Sequence, residues 1–96
     1  MKVYILSFST ATNDPSTWRD HYTKAAKPVL AKHGAKIIGV GQSQNLERGS
    51  NWERAALIEF PSIEAANAFH DDPEYSAARE MRIANTEGEM YLLSMD

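Results

Sequence analysis

Apolar residues alternate along the first stretch of the chain, with Tyr4, Leu6 and Phe8 on one side and Val3 and Ile5 on the other. This predicts a strand over residues 2–9. Both of its sides are largely apolar, so it calls for cover on two faces rather than water on one. The period then lengthens. Asn13-Asp14-Pro15 offers a carboxylate for an N-cap and a proline for a first helical position. Trp18, Tyr22, Ala25, Ala26 and Val29 follow at helical spacing. Pro28 lies inside that pattern and predicts a kink, because it has no N–H for the carbonyl four residues back. His33-Gly34 predicts the end of the helix, with Gly34 as its left-handed terminator.

Residues 35–46 predict a second strand, apolar at Ile37, Ile38 and Val40 and polar from Gln42 onward. Glu47-Arg48-Gly49-Ser50-Asn51 is a turn cluster. Residues 52–60 predict a third strand, with Trp52, Ala56, Ile58 and Phe60 opposite Ala55 and Leu57, and the short connection makes the pair an antiparallel hairpin. Ser62 then caps a short helix bearing Ala65, Ala66 and Phe69. His70-Asp71-Asp72-Pro73 interrupts it, and a third helix over residues 74–84 carries Tyr75, Ala78, Met81 and Arg82. Residues 87–95 predict the last strand, again apolar on both sides.

The order is β-α-β-β-α-β with the second helical block split in two. That is the ferredoxin-like α+β arrangement, a four-stranded antiparallel sheet with helices on one face. The pattern leaves open which face meets the helices. The other face also needs a cover, and a chain of 96 residues is one domain, 1–96, with no material to spare. A second copy packed on the sheet is the economical cover, which predicts a homodimer paired as a dimeric α+β barrel.

Composition narrows the function. With no cysteine there is no disulfide, thiolate nucleophile or cysteine zinc site, and a cytoplasmic location is the default. No apolar run approaches the roughly 20 residues of a membrane span, and the start lacks the apolar stretch of a signal peptide. A net charge of -3 without a basic block excludes nucleic acid as a partner. No histidine pair has metal-ligand spacing, which predicts no metal. Gly39-Val40-Gly41 falls inside a predicted strand with no helix after it, so it cradles no phosphate; with no nucleophile elbow or Walker lysine either, no cofactor is expected.

The candidate chemistry lies elsewhere. Tyr75 and Arg82 are seven residues apart on one predicted helix and share a face with Ala78 between them. A guanidinium beside a phenol is an anchor for a carboxylate or enolate, although an arginine can also lay its stem on the core and send its head to solvent or to Glu59. Glu59 shares a strand face with Leu57 and Ala55; there it is a candidate proton-transfer base, or a salt-bridge partner of Arg54 or Arg82. His21, beside Tyr22 and one turn from Trp18, is a candidate proton shuttle. His33 and His70 fall at helix ends, where an imidazolium suits the dipole. Trp18, Tyr22, Trp52 and Phe69 are pocket walls or core.

These pieces, in order, resemble the DUF1330 family, a branch of the dimeric α+β-barrel superfamily. The resemblance rests on Asp14-Pro15, Pro28 with Leu30, His33-Gly34, Glu47-Arg48-Gly49, Trp52, Leu57-Ile58-Glu59-Phe60-Pro61-Ser62, and Asp72-Pro73-Glu74-Tyr75 with Arg82. Ala35 departs from it where a second glycine is frequent, as does the spacing from Trp18 to Tyr22. The resemblance implies a barrel-forming homodimer without an established reaction, among relatives that include cofactor-independent monooxygenases, lactone isomerases and dehalogenating or decarboxylating enzymes. The expected function is therefore to bind a small carbonyl- or carboxylate-containing metabolite between sheet and helices. Arg82 would hold the anion and His21 or Glu59 would move a proton, while Trp18, Tyr22 and Tyr75 shape the cavity for cofactor-free proton transfer or oxygenation. The alternative is a non-catalytic dimeric scaffold or ligand-binding module.

Overall fold

Strand register decides the question the pattern leaves open. The computed structural model describes residues 2–95. Its strands are β1 (Val3–Ala11), β2 (Lys36–Gln42), β3 (Arg54–Phe60) and β4 (Thr86–Ser94), antiparallel throughout in the order β2-β3-β1-β4. Val3, Ile5 and Ser7 pair with Phe60, Ile58 and Ala56 on one side and with Ser94, Leu92 and Met90 on the other. Since pairing partners share a face, these residues form the helix-facing surface. Tyr4, Leu6 and Phe8, with Glu59, Leu57 and Ala55 and with Leu93, Tyr91 and Glu89, look the other way.

Three helices cover the first surface: α1 (Arg19–Lys32), α2 (Ile63–Asp71) and α3 (Pro73–Asn85). The core joins Val3, Ile5 and Phe60 of the sheet to Ala26, Val29 and Leu30 of α1, Ala66 and Phe69 of α2, and Tyr75 and Ala78 of α3. The thinnest dimension of the molecule, 18 Å, holds one sheet and one helical layer and nothing more. The far face keeps Tyr91 52% and Leu93 44% exposed, with Leu6, Phe8 and Leu57 half-buried beside them. Among the described residues no helix is long and apolar enough to cross a membrane.

Local signals set the helix ends. The Ser62 hydroxyl accepts from the Ala65 N–H at 3.0 Å and starts α2. Asp72 accepts from the Glu74 N–H at 2.9 Å, with Pro73 first in α3. Gly34 terminates α1 at φ +71°, and a side chain there would also press on the Pro61 ring at 3.3 Å. Gly88 has a different reason: β4 runs so close to β1 that a Cβ would collide with the Phe8 carbonyl.

Two expectations change. The first helix does not run on from Pro15. Asp14 caps a single 3-10 turn, Pro15–Thr17, through its side chain to the Ser16 N–H at 3.0 Å, and Thr17 Oγ1 donates to the Asp14 carbonyl at 2.7 Å. These short-range bonds compete with the helix and break it at Trp18, whose φ of -142° lies outside the helical range. Beyond Trp18, α1 runs through Pro28. The second change concerns Trp52. It precedes β3, so the alternation of that strand does not govern it, and its indole N–H donates to Glu89 at 2.9 Å on the far face.

Candidate functional site

Between the sheet and α1 and α3 lies a cavity of about 390 Å³. Helix α1 and its N-cap residue Trp18 contribute two adjacent stripes at four-residue spacing. Trp18, Tyr22, Ala26 and Leu30 form an inner, mostly apolar one, and Arg19, Thr23 and Lys27 form an outer, polar one. Ile5, Ser7, Ala56 and Ile58 of the sheet make the floor. Phe69 of α2 and Tyr75 and Arg82 of α3 close the far side, while Ile37, Val40 and Arg54 lie toward the edge formed by β2 and β3.

At the inner end the Tyr22 and Tyr75 hydroxyls are 2.8 Å apart, and their rings meet edge-on with centroids 6.4 Å apart. Two hydroxyls carry two protons and their mutual bond uses one, leaving the other for a ligand. Burial pushes the Tyr22 phenol well above its ordinary value and Tyr75 adds to that, while Arg82 pulls the other way. Tyr22 therefore remains protonated at neutral pH and acts as a donor rather than a base. Arg82 is tethered through its own backbone, whose carbonyl accepts from Thr86 Oγ1 at 2.7 Å. Its Nε is buried and makes no hydrogen bond within the described residues. Burying a guanidinium N–H without an acceptor is costly, and an anion in the cavity would supply one.

The charge of the lining is one-sided. Arg19, Lys27, Arg54 and Arg82 contribute to it, and among the described residues no aspartate or glutamate does. None of the four forms an ion pair among the described residues. Arg19 instead lies over the Trp18 ring, 5.3 Å from its centroid. Burial and, secondarily, the nearby Arg54 charge bias Arg19 below its ordinary value. In a chain with a net charge of -3, this local excess of cations is an arrangement for an anion.

Of the expected site residues, Trp18, Tyr22, Tyr75 and Arg82 are brought together here. His21 and Glu59 are not. His21 is exposed on α1 and outside the lining. Glu59 faces the opposite side of the sheet, where it accepts from the Tyr4 hydroxyl at 3.2 Å and pairs with Lys2 at 3.3 Å, in place of Arg54 or Arg82. Among the described residues the cavity thus has no imidazole or carboxylate to abstract a proton. Among the described residues no three His, Cys, Asp or Glu side chains converge as a metal site needs. Arg19, Lys27 and Arg54 escaped the sequence reading, although the spacing of Arg19, Thr23 and Lys27, one step from the aromatic stripe, signals two of them.

A sheet covered on one face by a single helical layer, with a cavity between them, defines a ferredoxin-like α+β protein. The chain belongs to the DUF1330 family, a domain of unknown function whose model matches residues 2–95. Solved structures share the fold. A Rhodopseudomonas palustris protein of unknown function superposes with a TM-score of 0.77 at 21% identity, covering 96% of this chain and 80% of that one. SnoaB, a cofactor-independent oxygenase from Streptomyces nogalater, gives 0.71 at 12% identity over 99% and 93% of the two chains. A dimeric ferredoxin-like protein of unknown function from Jannaschia sp. gives 0.69 at 16% identity over 99% and 100%. No curated protein matches the sequence.

Proposed function

We propose that this protein is a homodimer that binds a small apolar metabolite bearing a carboxylate or an enolisable carbonyl, held at Arg82. The buried, unpartnered Nε of Arg82 carries this reading, because that side chain lines the cavity together with the Tyr22–Tyr75 phenol pair. Arg82 and the free hydroxyl proton of the Tyr22–Tyr75 pair bind the anionic oxygen from two directions. Where the ligand forms an enolate, the same fixed donors stabilise the developing charge in a water-poor site. Without a resident base, the substrate must bring its own acidity. This supports cofactor-free chemistry on a readily ionised substrate, and the fold shared with a cofactor-independent oxygenase is in keeping with it.

The second copy covers the sheet face that carries Leu6, Phe8, Leu57, Tyr91 and Leu93, as the dimeric neighbour suggests. Sedimentation of the purified chain should give a dimer, and Leu93→Asp should shift it to monomer. A soluble wild-type monomer at micromolar concentration overturns the dimer. For the ligand, calorimetric titration with arylacetates should show binding that Arg82→Met removes and Arg82→Lys partly keeps. Binding that is indifferent to Arg82→Met overturns the assignment.

A further inference from the structure

Strand register gives the cavity a direction. On the helix-facing side of the sheet Ile5 opposes Ile58 and Leu92, Ser7 opposes Ala56 and Met90, and Ser9 opposes Arg54 and Gly88. Along β1 the floor therefore passes from an apolar row at Ile5 to a polar one at Ser9, about 13 Å away at the rise of a strand. The helices follow the same direction. The Thr12 N–H donates to the Asn85 carbonyl at 2.9 Å, so the end of α3 meets the end of β1. Arg82 lies one turn before Asn85, and its carbonyl accepts from Thr86, which opposes Ala11. The Asn13 amide reaches Asn85 at 2.9 Å, and the Trp18 indole nitrogen lies 3.5 Å from the Asn13 carbonyl. Arg19, over the Trp18 ring, is thereby seated at that end as well, where it senses the charge of Arg54.

The other end is built differently. Phe69 lies on the Phe60 ring with centroids 5.6 Å apart, and Phe60 opposes Val3. The Leu30 carbonyl accepts from the Ala35 N–H, next to the start of β2 at Lys36, which opposes Glu59. Ile5, Ile58, Leu30 and Phe69 of the lining thus gather there. Trp18, Tyr22, Tyr75 and Phe69 connect the two ends as a ladder of rings, with successive centroids 6.3, 6.4 and 4.3 Å apart. Lys27 stands two turns from Arg19 on α1, roughly 12 Å along the helix; it is exposed and does not join the arginines.

We propose that the ligand lies along β1 as an amphipathic anion, with a compact head bearing two negative charges among Arg19, Arg54 and Arg82 and an uncharged apolar tail over Ile5 and Ile58. The inference rests on the Arg82 reading above and adds an orientation and a second charge on the head. Three guanidiniums from α1, β3 and α3 converge on one end, and among the described residues no carboxylate of the lining answers them. One carboxylate offsets one of them; a second on the same carbon, as in a malonate, meets the others and the Ser9 hydroxyl. A charge on the tail would be buried against Ile5, Ile58 and Phe69 without a guanidinium beside it, which is costly.

The test titrates three probes into the full chain in low salt: 4-methylphenylacetate, (4-methylbenzyl)malonate with both charges on the head, and benzene-1,4-diacetate with one at each end. The malonate should bind about tenfold more tightly than the monoacid, and the diacetate about tenfold more weakly. In the Arg19→Gln/Arg54→Gln double variant the gain of the malonate should disappear while the monoacid still binds through Arg82. Should that variant fold poorly, the ranking on the wild type decides by itself. A diacetate that binds as well as the monoacid overturns the orientation, and a malonate that binds no better than the monoacid overturns the second charge. If all three bind equally and are lost together in Arg82→Met, the proposal falls and the Arg82 reading stands. If none of the three binds at millimolar concentration, both fall.

Discussion

Helix α1 has a polar cluster at each end, and the two are opposites. At its C-terminal end the buried Asp72 carboxylate meets His33 Nε2 at 2.7 Å, Lys32 Nζ at 2.9 Å and the Glu74 N–H at 2.9 Å. Every group there has a partner within the chain. Nearer the N-terminal end, Arg19 and Arg82 border a cavity in which, among the described residues, no carboxylate answers them. The first cluster ties α1 to the junction of α2 and α3, and its chemistry is complete. The second is incomplete without something the chain does not contain. Satisfied buried charges are compatible with a purely structural role, whereas unsatisfied ones conflict with stability and persist where function needs them.

The largest effect should come from breaking the complete cluster. Asp72→Ala removes the cap of α3 and leaves His33 without its partner, so the melting temperature should fall by about 5–8 °C, the size expected for a lost N-cap in a small domain. Affinity for arylacetates should not change. Circular dichroism melts and titration calorimetry check the two halves, and a loss of binding would mean that the two ends are not separate. The same carboxylate gives the next prediction. Its hydrogen bond with His33, followed by those with Lys32 and the Glu74 N–H, holds Asp72 well below the ordinary carboxylate value of 3.8. A folded value below the unfolded one stabilises the protein above the unfolded value, and that stability is lost as pH falls through the folded one. The melting temperature should thus drop as pH is lowered from about 5 toward 2, and Asp72→Asn should flatten that limb. An unchanged acid limb in the variant would show that other carboxylates govern it.

At the incomplete cluster the sign should reverse. Arg82→Met keeps most of the stem that packs in the cavity wall and removes the buried donor that has no acceptor. The unliganded protein should melt at the same temperature or a few degrees higher, because replacing an unsatisfied polar group with an apolar one of similar shape is neutral or stabilising. Ligand-induced stabilisation should disappear in the same variant. A melting temperature that falls as far as in Asp72→Ala would make Arg82 a structural residue like those at the other end.

The two clusters also differed in how far the sequence foretold them. Ser62, Asp72-Pro73 and Gly34 act on backbone within a few residues of themselves, so their caps and boundaries were readable, as was the element order that defines the fold, whereas Asp14-Pro15 capped a short 3-10 turn in place of the helix expected there. Tyr75 and Arg82 share one helix, so their common face followed from spacing. What failed was pairing across the chain. Glu59 finds Lys2 and Tyr4 because β1 and β3 are neighbours in the sheet, and no local period encodes that. Both strand faces being apolar, only the register of Val3 with Phe60 reveals which side the helices cover and hence that Glu59 and Arg82 are apart. Arg54 reaches the cavity for the same reason: β3 lies between β1 and β2 and sets its first residue near the mouth.

The smallest effect concerns Arg19 and Arg54 of the cavity lining. Arg19 is biased downward first by burial and then by Arg54, which means that the two guanidiniums sense each other. Both reach solvent, so screening limits the repulsion to roughly 0.5 kcal/mol or less. Arg19→Gln and Arg54→Gln should each stabilise the unliganded protein by a few tenths of a kcal/mol in low salt. The double variant should gain less than the sum of the two, since either substitution alone already relieves the shared repulsion. Denaturant melts of the four proteins close the cycle, and its coupling should shrink toward zero at 500 mM salt as the Debye length contracts. A coupling that persists in high salt would have to come from packing around Trp18. Strict additivity in low salt would show that the two arginines do not interact electrostatically.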